Sequence, residues 1–357
     1  MRSALIRVDA WCRRGDFTID DLAWFRVIYS AGLLLTIQPF GLLSNRPAER
    51  FDPPPGPLTL FESLPPHGVL EGLEILTAVL AALLLVGLHT RGVSILLALA
   101  LMTGLGLTYS FGKIDHTIVL ALVPLWMAFS DWGKSMSLDA AADRRGTERS
   151  DVAQWPLRFL AVSIALTFFT GGWYKLRSGW LDLDTHAVQG HFGRSYLKNG
   201  RTDWLAPEIL DLRLGRLWEA ADWFTVALEL GLVVTVLSWQ WFRVSIALAA
   251  LFHVGVLLML NIVFSWNVLG YAAFVRWSTI VPWPSFEIRL RRSLGYVVAV
   301  AIGAAMYAIH QGLGPDFQRD VRTVIVFLGG AAGIVYLAYL AVRLGRVMRV
   351  RPAATRT

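Results

Sequence analysis

WPLRFLAVSIALTFFTGGWYKLRSGWLD, residues 155–182, is the stretch on which the reading of the chain turns. Its first part, about Trp155–Tyr174, is apolar over a length that crosses a bilayer, and its apolar run breaks at Gly171–Gly172. Lys175 then stands between aromatic residues at an expected membrane boundary. A lysine there has two physical meanings. It is an anchor, with its stem in the apolar layer and its ammonium in water. Or it is held in a dry pocket that favours a neutral amine, and it serves as a base. Residue type alone favours the anchor, so the rest of the chain has to decide.

Outward from this stretch the composition is that of a membrane protein. Hydrophobic residues make up 55% of the 357, and the mean hydropathy is +0.52. The charges fall between long apolar runs, which places the chain among all-α, polytopic helical bundles. The formal net charge of +7 reads as topology signal and headgroup contact rather than nucleic-acid binding. No basic block is interleaved with an aromatic platform, so nucleic acid is excluded as a partner. Cys12 is the single cysteine, so no intrachain disulfide forms. The first apolar run is long enough to span and lacks a small-residue cleavage site, so no secretory signal peptide is expected.

About ten spans are predicted: Leu22–Leu43, Val69–Leu88, Val93–Phe111, Thr117–Ser130, Trp155–Tyr174, Leu217–Leu237, Val244–Asn261, Ile262–Pro282, Ser293–Ile309 and Val321–Val342. A proline-rich loop at Ser44–Gly68 is expected to be extended. The turn His89-Thr90-Arg91-Gly92 joins the second and third spans, and the polar stretch Lys175–Arg216 reads as interfacial or re-entrant helix. Gly329 and Gly333 form a GxxxG suited to helix packing. The Lys and Arg excess lies on the side of both termini, which are therefore expected to be cytoplasmic. The Gly112–His116 link and Lys175 then share the opposite face. Three regions result: a membrane domain over 20–281, two further helices over 282–345, and a basic tail over 346–357.

Four ionisable groups stand out: His116 beside Asp115, Lys175, Glu229 in the sixth span and His253 in the seventh. A charge at the centre of a membrane helix costs about 2.5–3.5 kcal/mol, so each needs a partner or a wet cavity. A buried polar pair that orders the bundle accounts for Glu229 and His253 as well as a functional role does. For His116 the plain alternative is an interfacial helix cap. His186 and His191 are five apart with no cysteines nearby, a poor zinc pattern. HExxH, P-loop, GxSxG and Rossmann fingerprints are missing, and no metal is expected.

Taken in order, several segments resemble the HTTM (horizontally transferred transmembrane domain) family and the membrane part of vitamin K-dependent γ-carboxylases. These are LAWFRVIYSAGLLL (22–35), with its Phe-Arg; GKIDHTIVLALVPLWMAFSDWGKSMSLD (112–139), a histidine-led span closed by Ser-x-Asp; GGWYKLRSGWLD (171–182), with Gly-x-x-Lys-Leu before Trp; LELGLVV (228–234); and FHVGVLL (252–258). The resemblance covers about Asp20–Trp277. It implies a membrane enzyme, of bacterial cell-membrane type, using a reduced quinone of the vitamin K or menaquinone kind, with O2 and CO2 as co-substrates. Lys175 would be the catalytic base, in an aromatic setting that includes Trp173 and Tyr174. His116 would help hold the quinone oxygen, and Glu229 and His253 would order the pocket. Proton removal, oxygen addition, epoxide formation and carbanion carboxylation follow in that chemistry. One departure matters: the animal carboxylases continue into a large soluble region that helps bind the peptide substrate. After Pro282 this chain instead reads as two further spans and a short tail, which leaves the membrane or peptide substrate open. The competing reading is non-enzymatic: a membrane anchor or partner subunit whose polar residues serve packing and topology.

Overall fold

The computed structural model describes residues 2–142, 152–183, 185–212, 214–281 and 292–350. Every regular element among them is helical: α1 (Arg2–Arg13), α2 (Ile19–Leu35), α3 (His67–Val86), α4 (Thr90–Tyr109), α5 (Val119–Met127), α6 (Leu138–Ala142), α7 (Trp155–Arg177), α8 (Ala187–Gly193), α9 (Ala206–Asp211), α10 (Arg216–Thr235), α11 (Trp239–Leu260), α12 (Ser265–Tyr271) and α13 (Arg292–Val350). Six segments among the described residues are long and apolar enough to cross a membrane: Ile19–Asn45, His67–Val86, Thr90–Tyr109, Trp155–Arg177, Trp239–Leu260 and Ser293–Arg346. The predicted basic residues Arg144, Arg145, Arg149, Arg289, Arg291 and Arg351 lie outside the described residues.

The chain forms two compact units, Met1–Ile164 with Leu269–Val321, and Ala165–Val268 with Arg322–Thr357. In the first, α2, α3, α4 and α5 pack in succession. A capping box starts α2: Thr18 accepts from Asp21 N–H, and the Asp21 side chain accepts from Thr18 N–H. The first half of α13 lies on α3, where a Cβ at Gly303 would stand 3.0 Å from Val79 Cα. There Tyr307 donates to Glu71 at 2.8 Å. In the second unit α10 pairs with α11, and the second half of α13 packs on α11 and α12. A Cβ at Gly333 would stand 2.9 Å from Ala247 O, so the GxxxG glycine sits at a close helix crossing.

Three elements differ from the sequence expectation, the first two through a tertiary contact. The helix α4 starts at Thr90, inside the predicted turn, because Asp139 accepts from His89 N (2.9 Å) and Thr90 N (2.7 Å) and so caps it from fifty residues away. The predicted span Ile262–Pro282 becomes the seven-residue α12 followed by short 3-10 turns. Its later part is tied to side chains near the start of α2: Asp21 accepts from Ser278 N at 2.8 Å, and Arg276 pairs with Asp16 at 3.0 Å. Finally, the last two predicted spans are halves of α13, interrupted at Gly314 (φ 71°, ψ −173°) ahead of Pro315. At 1.5 Å per residue its 59 residues far exceed one bilayer crossing, and the break divides them.

Candidate functional site

Within the second unit, α7 presents Phe168, Gly171, Gly172 and Lys175 along its length, and α10 carries Glu229 opposite the glycines. Lys175 Nζ donates to Glu229 Oε1 in a direct ion pair between residues 54 apart in sequence. The two side chains are 23% and 10% exposed, so the pair is largely withdrawn from solvent. Glycine makes this approach feasible. A Cβ at Gly172 would stand 2.8 Å from Glu229 Cβ, and one at Gly171 would stand 3.5 Å from Glu229 Oε2. Oε2 is buried and accepts no hydrogen bond. One carboxylate oxygen is therefore used by the lysine, and the other is buried beside Gly171 without a donor.

The end of α7 shapes the other side of the amine. Trp180 N–H donates to Lys175 O at 3.3 Å, a wrapped helix end that needs a left-handed residue just before it. Gly179, at φ +80°, supplies that residue. The wrap brings the Trp180 ring over the amine, 5.0 Å from Nζ to the ring centroid, and Trp180 in turn lies 5.3 Å from the His191 ring. The sequence RSGW thus encodes an aromatic cover for Lys175.

The stretch after Lys175 packs as short helices on the ends of α10 and α11, not as a separate domain. Asp222 accepts from Ala187 N (2.8 Å) and Val188 N (2.7 Å), which fixes the start of α8 on α10. Phe192, Ala206 and Trp218 form a small core there, with Met259 and Leu260 against it. Orphan carbonyls at the end of α11 find donors in this cap: Leu205 N to Leu258 O, 3.1 Å, and Ser195 Oγ to Leu260 O, 3.0 Å. His186 lies 3.4 Å from Glu219.

His253 is 1% exposed and stacks on Phe264, with centroids 4.5 Å apart and planes at 11°. Phe168 lies 5.8 Å from the same imidazole. Seven residues separate Phe168 from Lys175, about 10 Å along the helix. Glu229 holds Lys175, and the His253 ring packs among aromatic rings. Trp173 and Tyr174 lie on the outer side of α7, 48% and 73% exposed, with Trp173 stacked on Phe169. The aromatic partner of the amine is Trp180, which the sequence reading had passed over as a site residue.

His116 belongs to the first unit, where it opens a 3-10 turn before α5. The cap of that turn is Asp115, which accepts from Thr117 N at 2.8 Å and Thr117 Oγ1 at 2.7 Å. The Phe-Arg and Ser-x-Asp segments meet in the same unit. Arg26 is fully buried and donates to Leu84 O at 3.1 Å and to Met136 O. A Cβ on Gly87 would collide with its guanidinium, so the αL glycine that ends α3 also makes room for the arginine. One turn on, Asp139 caps α4.

The HTTM domain family model matches residues 16–278, a span that contains Lys175, Glu229, His253, His116 and Arg26. No curated protein and no solved structure matches the chain.

Proposed function

Because the chain belongs to the HTTM domain family, a family of membrane domains, we propose that it is a membrane enzyme acting on a reduced quinone, with Lys175 as the base and Glu229 as its proton partner. The observation that carries this reading is the half-used carboxylate. Glu229 Oε1 holds the amine, while Oε2 is buried, without a donor, beside the bare face of Gly171. A buried acceptor left without a donor is costly, and a ring hydroxyl entering beside Gly171 would satisfy it. A hydroquinone hydroxyl would be such a donor.

In the proposed relay, Nζ passes its proton to Oε1 and is left as a free amine. Nζ then takes the proton of a hydroxyl held at Oε2. Trp180 shields the amine from water. Bound hydroquinone supplies two electrons to O2 and an ionisable hydroxyl, the inputs of an epoxidase or carboxylase-like reaction with CO2.

The finer topology belongs to the same proposal: ten crossings, with α5 and α12 crossing as short broken segments, both termini cytoplasmic and the Lys175 site facing outward. The test is turnover and binding of reduced menaquinone or vitamin K by purified protein, beside Lys175→Ala and Glu229→Gln. The expected result is turnover in wild type, lost in both variants, with folding retained. Wild type that neither binds quinone nor turns over quinol would replace this reading with that of a non-enzymatic anchor or partner subunit.

A further inference from the structure

The helix α1 precedes the family match. Leu5, Val8 and Cys12 recur at helical spacing on one side that Trp11 continues, Arg7 borders that side next to Trp11, and Arg13 lies on the far side with the exposed Ile6. Over residues 1–14 four arginines face a single acid, Asp9, which pairs with Arg13 at 3.0 Å. Leu5 and Val8 are 62% and 56% exposed, an apolar stripe that the protein itself does not cover. The C-terminal end of α1, by contrast, is fixed. Arg158 in the first turn of α7 lies 4.8 Å over the Trp11 ring and donates to Arg14 O at 3.2 Å. Only residues 14–18 separate α1 from the start of α2, a tether of at most about 17 Å when fully extended.

We infer that α1 is an in-plane anchor that lays Leu5 and Val8 into the headgroup–acyl boundary and reads anionic phospholipid with its arginines. Three observations favour this occupant over a protein partner. The tether keeps the stripe at the end of a membrane-crossing helix. The basic excess complements anionic headgroups. The apolar face is a narrow stripe flanked by arginines, the pattern of interfacial helices. This inference stands apart from the quinol reading and does not depend on it.

The test uses the full chain with Cys12→Ser and one new thiol, either Val8→Cys or Arg7→Cys, carrying a nitroxide. The protein is reconstituted in phosphatidylcholine vesicles with or without phosphatidylglycerol. Accessibility to oxygen, which favours lipid, is compared with accessibility to a water-soluble nickel complex. The expected oxygen-to-nickel ratio is severalfold higher at position 8 than at position 7 with phosphatidylglycerol, and the contrast shrinks without it or in high salt. A contrast equal in both lipids overturns the anionic reading. Two water-exposed positions, or a position 8 shielded from both reagents by a protein contact, overturn the anchor itself.

Discussion

Two cations in this molecule, one buried and one partly exposed, are handled in opposite ways. Arg26, in the first unit, is 0% exposed and donates to backbone carbonyls at the end of α3 and in the turn before α6. Those carbonyls are fixed and cannot take a proton, so the arginine joins two segments and does nothing else. Lys175, in the second unit, is partly exposed and bonded to a carboxylate, a group that can take a proton, and that carboxylate keeps one oxygen without a donor. A guanidinium on carbonyls is a clamp; an amine on a half-used carboxylate has the parts of an acid–base pair. Burial alone would have ranked Arg26 first. What separates the two cations is the chemistry of the partner.

The strongest way to break this comparison is to remove each cation's defining chemistry in turn. Lys175→Ala is expected to lower quinol turnover by about 10²–10⁴-fold, the usual weight of a positioned base, with the fold retained at a lowered thermal midpoint because Glu229 loses its donor. Arg26→Lys should touch stability alone. A compact ammonium cannot reach two carbonyls set in a fork, so about 2–3 kcal/mol of stability is lost while activity per folded molecule is kept. A Lys175 variant that fails to fold, or an Arg26 variant that folds well but is inactive, would exchange the two roles.

A finer cut concerns the space beside the carboxylate. Gly171→Ala places a methyl 3.5 Å from Glu229 Oε2, an ordinary contact that the fold accepts. The methyl occupies the spot proposed for the ring hydroxyl. Quinone-analogue binding should weaken about tenfold, about 1.4 kcal/mol, without a change in thermal midpoint. Unchanged affinity would move the ligand away from Oε2.

The comparison also shows which features a sequence can carry. Helices α3, α4, α7 and α11 were readable within a few residues because apolar run length is a local property. Lys175 was readable as a candidate because a lysine among aromatics at a span end is a local signal too. Its partner was not, since Glu229 lies 54 residues away on another helix and no spacing rule links them. The cover by Trp180 left a local trace in Gly179, whose positive φ turns the chain back over the amine. The cap on α4 left none, because Asp139 supplies it from a distant turn. The predicted span after Asn261 failed for the same reason: Asp21 and Asp16 bind the later part of that run in a non-helical form.

The smallest expected effect separates packing from chemistry inside the second unit itself. Gly333 lies at a crossing where an added Cβ would meet Ala247 O at 2.9 Å, backbone that cannot step aside as a side chain would. Gly333→Ala should therefore push the second half of α13 away from α11 and cost about 1 kcal/mol or slightly more, read as a lower thermal midpoint in detergent. Quinol turnover at a temperature well below that midpoint should stay within about twofold, a barrier change of under 1 kcal/mol. The glycine touches α11 at Ala247, nearly two turns before His253, and contacts neither member of the ion pair. If activity instead falls with stability unchanged, α13 acts on the site through α11, and Gly333 belongs with Lys175 rather than with Arg26.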